Sequence, residues 1–184
     1  MLQRRRVLTL LLSNLWLPNG EIPLRLKAPP VEGTKHAFYM KQAIALAKRN
    51  PRYPFGAVLV DREKDSIVSE GWNKSSQNPL LHGEIDAIEN GNARSRLLKR
   101  EVLALYTTAE PCAMCQGAIL WAGIPFVAYG TSIPFLKKLG WETIDIPAQE
   151  IAARTSFRKC AFLPGVLENE CNALFVSALN SQTH

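Results

Sequence analysis

A chain of 184 residues with 47% hydrophobic and 21% charged side chains is long enough for one domain with a sizeable core, and its composition excludes a disordered polymer. No apolar run reaches the roughly eighteen residues needed to cross a bilayer, so no membrane span and no stable membrane association is predicted. The net charge of +6 would suit a nucleic-acid binder, but its placement argues otherwise. Residues 1–30 hold Arg4, Arg5, Arg6, Arg25 and Lys27 against Glu21 alone, and no Lys or Arg lies between Cys160 and His184. The basicity belongs to the leader rather than the body.

In chain order, Arg4-Arg5-Arg6 precedes the short apolar run from Val7 to Leu12, a charged region followed by a hydrophobic one. That pattern fits a secretory or twin-arginine export signal, although no A-x-A-like cleavage site follows. A basic arm on a cytoplasmic protein fits the same residues; export to a compartment such as the periplasm is the favoured expectation. Residues 1–33 are thus read as a targeting-like segment and linker, and 34–184 as one domain.

The body is predicted to open with a helix capped by Thr34, with Ala37, Met40, Ile44 and Ala47 on one face, ending at Asn50-Pro51. Phe55 to Asp61 and Ile67 to Trp72 read as strands of a hairpin, followed by a polar loop from Asn73 to Leu81. A helix is expected from His82 to Gly91, a buried strand from Val102 to Thr108, a helix from Cys112 to Ala122 and a strand from Phe126 to Gly130. Further helical stretches are expected at Pro134–Leu139 and Val166–Leu179, while Leu139 to Phe157 has no legible pattern. Strands alternating with helices point to an α/β sandwich around a mixed sheet.

Chemistry concentrates in two short pieces, His82-Gly83-Glu84 and Pro111-Cys112-Ala113-Met114-Cys115, each at the start of a predicted helix. One imidazole and two thiolates supply three zinc ligands and leave a fourth position for water, the pattern of a catalytic rather than a structural zinc site. A helix N-terminus favours the thiolates. Glu84 is close enough to act as general acid and base without being a ligand. Each half alone is weak. A single His is usually an ordinary core or surface residue, and P-C-x-x-C could be a redox pair or half of a structural zinc site. The redox alternative leaves His82 and Glu84 without a task; a structural site needs a fourth ligand, and Cys160, Cys171 and His36 sit at no helpful spacing. Cys160 and Cys171 by themselves read as small buried hydrophobes.

Together the halves form the H-x-E…P-C-x-x-C signature of zinc nucleobase deaminases. With Pro54 to Val60, Gly71-Trp72-Asn73 and Gly165 to Cys171 arriving in the same order, the chain resembles the cytidine-deaminase-like superfamily over roughly residues 34–179, in its guanine deaminase and tRNA adenosine deaminase branch. The resemblance implies a three-layer α/β/α sandwich around a five-stranded mixed sheet and a hydrolase acting on C–N bonds of cyclic amidines. It implies zinc on His82, Cys112 and Cys115 and a proton shuttle at Glu84. It implies that Asn73 binds the edge of the base and that Phe55, Gly56 and Ala57 pack beside it. Gly83 departs from the alanine most relatives carry there. Glu110 reads as a carboxylate capping the helix after it. Trp121 reads by default as core, and its aromatic character leans toward relatives acting on a free base. A guanine-like free base or nucleoside is the favoured substrate. The alternatives are tRNA adenosine, suggested by the stretch Gly165 to Cys171, and a non-catalytic zinc module, which would have no use for Glu84. Relatives of this branch commonly dimerise, so a homodimer is expected, with Val166, Leu174, Phe175 and Leu179 serving either that contact or the core.

Overall fold

Apolar side chains on both faces of every central strand require helices on both sides of the sheet, and the arrangement supplies them. A computed structural model of the chain describes residues 33–94 and 99–181; the leader reading at Arg4 to Leu12 lies outside the described residues. The order is α1 (Gly33–Ala47), β1 (Gly56–Asp61), β2 (Ser66–Trp72), α2 (Gly83–Arg94), β3 (Leu103–Ala109), α3 (Ala113–Ala122), β4 (Phe126–Thr131), α4 (Ile133–Lys138), α5 (Ala148–Ala153), β5 (Ala161–Leu163) and α6 (Glu168–Asn180). The five strands lie in the order β2-β1-β3-β4-β5. The β1–β2 and β1–β3 pairs are antiparallel, whereas β3–β4 and β4–β5 are parallel. This is the expected three-layer α/β/α sandwich around a five-stranded mixed sheet.

Alternation along the strands sorts the core into two layers. Ala57, Leu59, Leu103, Leu105, Val127 and Tyr129 pack with Ala87 and Ile88 of α2 and Ile119 of α3. Val58, Val60, Ala104, Tyr106, Phe126 and Ala128 pack on the opposite face with Tyr39 and Leu46 of α1. The hairpin turn is held by Asp61, whose Oδ1 accepts the N–H groups of Glu63 and Lys64. Gly56 is obligatory: a Cβ there would lie 2.2 Å from the carbonyl oxygen of Ala43, because α1 presses directly on the start of β1.

Several boundaries differ from those expected. α1 already includes Gly33, one residue ahead of the expected cap Thr34. α2 runs on to Arg94. α6 starts at Glu168 rather than Val166, because Gly165 and Leu167 both adopt positive φ (74° and 50°), which breaks any helix through them. α5 had no expected counterpart, and the fifth strand, implied only by the resemblance, had no expected place in the chain. Of the apolar set offered for either dimer or core, Phe175 is fully buried with Ala109 and Leu136, Leu174 packs against that cluster, and Val166 packs against the two clusters beside α1. No helix among the described residues is long and apolar enough to cross a membrane.

Candidate metal centre and substrate cavity

α2 and α3 lie side by side on one face of the sheet, and their starts converge near the carboxyl end of β3. His82 precedes α2, and its carbonyl accepts the N–H of Asp86 as the first turn closes. Cys112 holds the equivalent place before α3, extended (ψ 170°), with its carbonyl accepting from Gln116 N–H. The ligand atoms of His82, Cys112 and Cys115 all lie within 4.8 Å of one another. Nδ1 of His82 is 3.7 Å from Cys112 Sγ and 3.6 Å from Cys115 Sγ. Tetrahedral zinc, with Zn–S near 2.3 Å and Zn–N near 2.0 Å, sets such atoms about 3.6 Å apart. The donor set and its spacing therefore fit a zinc ion, with Nδ1 as the imidazole ligand. Without a metal, the neighbouring Cys115 and His82 push the Cys112 thiol down to about 4, while the Cys112 sulfur and burial push the Cys115 thiol up; a bound zinc would hold both as thiolates. The other two thiols are inert: burial pushes Cys160 and Cys171 up to about 12.

Glu84, in the first turn of α2, is 3% exposed, and burial pushes its carboxyl above the usual range. Its Oε1 accepts a hydrogen bond of 3.0 Å from Thr107 Oγ1. Gly83 has a local reason: a Cβ there would lie 2.7 Å from the carbonyl oxygen of Phe55. At the first residue of a helix glycine carries little of the cost it has in an interior.

A cavity of about 440 Å³ opens over this cluster, lined by His82, Glu84 and Cys112 on one side and by Phe55, Leu136 and Trp141 among the apolar walls. Glu110, Glu142, Thr143 and Ile144 complete much of the rest. The Phe55 ring lies nearly parallel to that of His82 (16°) and meets Trp141 edge-on at 5.7 Å. A larger hollow of about 690 Å³ between α1 and α6 contains none of the cluster residues.

Of the residues expected beside the base, only Phe55 lines this cavity; Gly56 and Ala57 are buried in the sheet. Asn73 is buried and linked to the wall through its N–H to the Phe55 carbonyl (2.8 Å). Its side-chain Oδ1 accepts from the backbone N–H of Ser75 (3.1 Å) and from Ser75 Oγ (2.7 Å). A backbone donor can face only the oxygen, so the amide orientation is fixed, with Nδ2 turned away from the Ser75 N–H. Asn73 is not among the residues lining the cavity.

Two expectations need correction. Trp121 is in neither the core nor the cavity: it is 78% exposed on α3 and stacks at 4.5 Å on Phe157 of the segment following α5. Glu110 does not cap α3. Its Oε2 accepts from Ile133 N–H and its Oε1 from Ala148 N–H, both at 2.9 Å, so one buried carboxylate caps α4 and α5 together. Sequence reasoning missed Thr107, Trp141 and Glu142. Thr107 looks like any strand residue, and Leu139 to Ile146 carries no periodicity; an aromatic-acid pair after Gly140 was the one available signal.

An α/β/α sandwich with a His/Cys/Cys cluster and a buried carboxylate under a cavity is the architecture of a metal-dependent hydrolase. The family model for the cytidine and deoxycytidylate deaminase zinc-binding region matches residues 33–131, and the chain belongs to this family of hydrolytic deaminases. It is 36% identical over 148 residues to a tRNA-specific adenosine deaminase of Buchnera aphidicola (subsp. Baizongia pistaciae), covering 76% of this chain and 85% of that protein. It is 33% identical over 127 residues to the guanine deaminase of Bacillus subtilis, covering 62% and 80%. Among solved structures, the guanine deaminase from Nitrosomonas europaea superposes with a TM-score of 0.67 at 21% identity, covering 77% and 83%, a likeness of fold.

Proposed function

We propose that the chain deaminates a small amino-substituted base or nucleoside, guanine-like purines foremost. The observation that carries this reading is the cavity lining: Glu84, Glu110 and Glu142 contribute carboxylates, and neither Lys nor Arg is among the lining residues. Such a cavity repels phosphate and suits a neutral ring that presents N–H donors. Guanine offers two adjacent donors, its ring N–H and its 2-amino group, which a carboxylate such as Glu142 can accept together. Its carbonyl and ring nitrogens offer acceptors for the Nδ2 of Asn73, and Phe55 and Trp141 supply flat apolar walls. α6 adds acidic rather than basic residues in its first turn.

Bound zinc supplies Lewis acidity, bringing a water's pKa from about 15.7 to near 7. His82, Cys112 and Cys115 would hold that ion. Glu84 takes a proton from the attacking water and passes it to the ring nitrogen next to the amino-bearing carbon. The water oxygen bonds to that carbon as the ring C=N opens. Glu84 then carries the second proton to the amino group, the C–N bond breaks, ammonia leaves, and the ring keeps a carbonyl. Burial raises the Glu84 carboxyl above the usual carboxylate range, the direction that favours holding a proton between the two transfers.

Ammonia release should be measured from guanine, cytosine, adenosine and tRNA under identical conditions, with guanine expected fastest. Glu142→Gln is expected to lower kcat/KM for guanine about tenfold to a hundredfold, the loss of a charge-assisted hydrogen bond worth about 1.5–3 kcal/mol. Turnover of tRNA with silence on every free base would reverse the ranking. That second reading draws support from the Buchnera relative. Against it, Arg49 and Lys74 lie over the Trp72 ring at 4.0 and 3.8 Å, and Lys74 is paired with buried Asp86, so both cations are engaged in the fold. Export of the chain, carried by Arg4-Arg5-Arg6 and the apolar run after it, would likewise keep it away from tRNA.

A homodimer belongs to the same proposal. Trp121, Phe157 and Val176 expose apolar surface on α3, after α5 and on α6. Sedimentation equilibrium should give twice the 20.5 kDa chain mass, and Trp121→Glu should halve it. A monomer at micromolar concentration would refute this part.

A further inference from the structure

Thr107 and Thr108 are neighbours on β3, and alternation turns them to opposite faces. Thr108 serves the backbone: its Oγ1 accepts from Gly56 N–H and donates to the Pro54 carbonyl, both at 3.1 Å. Thr107 serves a side chain, donating to Glu84 Oε1 at 3.0 Å, with both residues almost wholly out of solvent. Its own position is rigid, since β3 is flanked by β1 and β4 and Thr107 pairs with Ala57 on one side and Tyr129 on the other. Glu84 has three side-chain torsions, and the groups around it act on its carboxylate in opposite senses, His82 attracting it and Cys112 repelling it.

We propose that Thr107 is a positioning residue, whose hydroxyl pins Oε1 of Glu84 and so leaves Oε2 as the oxygen that transfers protons. The proposal rests on the reading of Glu84 as proton carrier. A carboxylate free to turn would place its proton-accepting oxygen correctly only part of the time, and transfer needs heavy-atom separations of about 2.6–3.2 Å. The hydroxyl is what matters, because the γ-methyl of threonine cannot hold an oxygen.

The test compares Thr107→Val, Thr107→Ser and Thr107→Ala. Serine keeps the donor; valine keeps the shape; alanine keeps neither. With zinc content unchanged, kcat is expected to fall about tenfold to a hundredfold in the valine and alanine proteins while KM stays put, and to stay within about threefold of the parent in the serine protein. Crystal structures of the variants should show the Glu84 carboxylate turned or split over two orientations in the valine protein and unmoved in the serine one. Should valine destabilise the sheet too far, alanine against serine makes the same comparison. Equal kcat in the valine and parent proteins, or equal losses with serine and valine, overturns the proposal. Absence of ammonia release by the parent protein on every base would fail the functional reading alone, because the Glu84 orientations would still decide whether Thr107 holds it.

Discussion

Alanine at His82, Cys112 or Cys115 is expected to take bound zinc from about one ion per chain to none, and turnover with it. The reasoning is geometric. Three ligand atoms lie at separations near those of a tetrahedral zinc shell, and among the described residues no other His, Cys, Asp or Glu joins the cluster. Losing one of three leaves two protein ligands, too few to hold the ion through purification. Protein-bound zinc in comparable cysteine and histidine sites contributes on the order of 10 kcal/mol, so thermal stability should fall with the metal. Metal analysis of freshly purified protein, with melting curves before and after chelation, checks both. Parent protein grown with ample zinc yet containing none would contradict the assignment outright.

Glu84→Gln should do the reverse: zinc and fold are kept, and kcat falls about 10²- to 10⁴-fold, the usual contribution of a positioned general acid and base. Glutamine has the same shape and its Oε1 can still accept the Thr107 hydroxyl. It cannot take a proton from water. Because burial disfavours the charged form of Glu84, removing the charge should leave the melting temperature unchanged or raise it. Stability held while activity disappears is a signature that a structural carboxylate would not give. Ammonia release surviving the substitution would mean that another group carries the protons.

The metal ligands were legible in the sequence because zinc dictates residue types and a helix start dictates their spacing. The sheet was legible because both faces of β1, β3 and β4 are buried, which leaves long apolar runs. What escaped was whatever tertiary contact alone decides. Trp121 reads as core from its composition, yet lies on the outer side of α3 against Phe157. Glu110 reads as a cap for the helix next to it in sequence, yet caps two that follow much later. The contacts of Asn73 were equally illegible: only the fold shows Ser75 taking its side-chain oxygen. The wall from Trp141 to Ile144 has neither helical nor strand periodicity, because it is held at its ends and by an ion pair between Lys137 and Asp145 rather than by its own hydrogen-bonded pattern.

The double cap formed by Glu110 ties together two parts of the molecule with different duties. Cys112 is two residues away, and the wall bearing Trp141 and Glu142 hangs between the two helix starts that this carboxylate clamps. Insertions or replacements between Gly140 and Pro147 can therefore reshape what enters the chamber while both anchor points stay bolted to the segment that leads from β3 into the two cysteines. A lineage built this way is free to exchange one ring for another without disturbing how the carbon–nitrogen bond is cut.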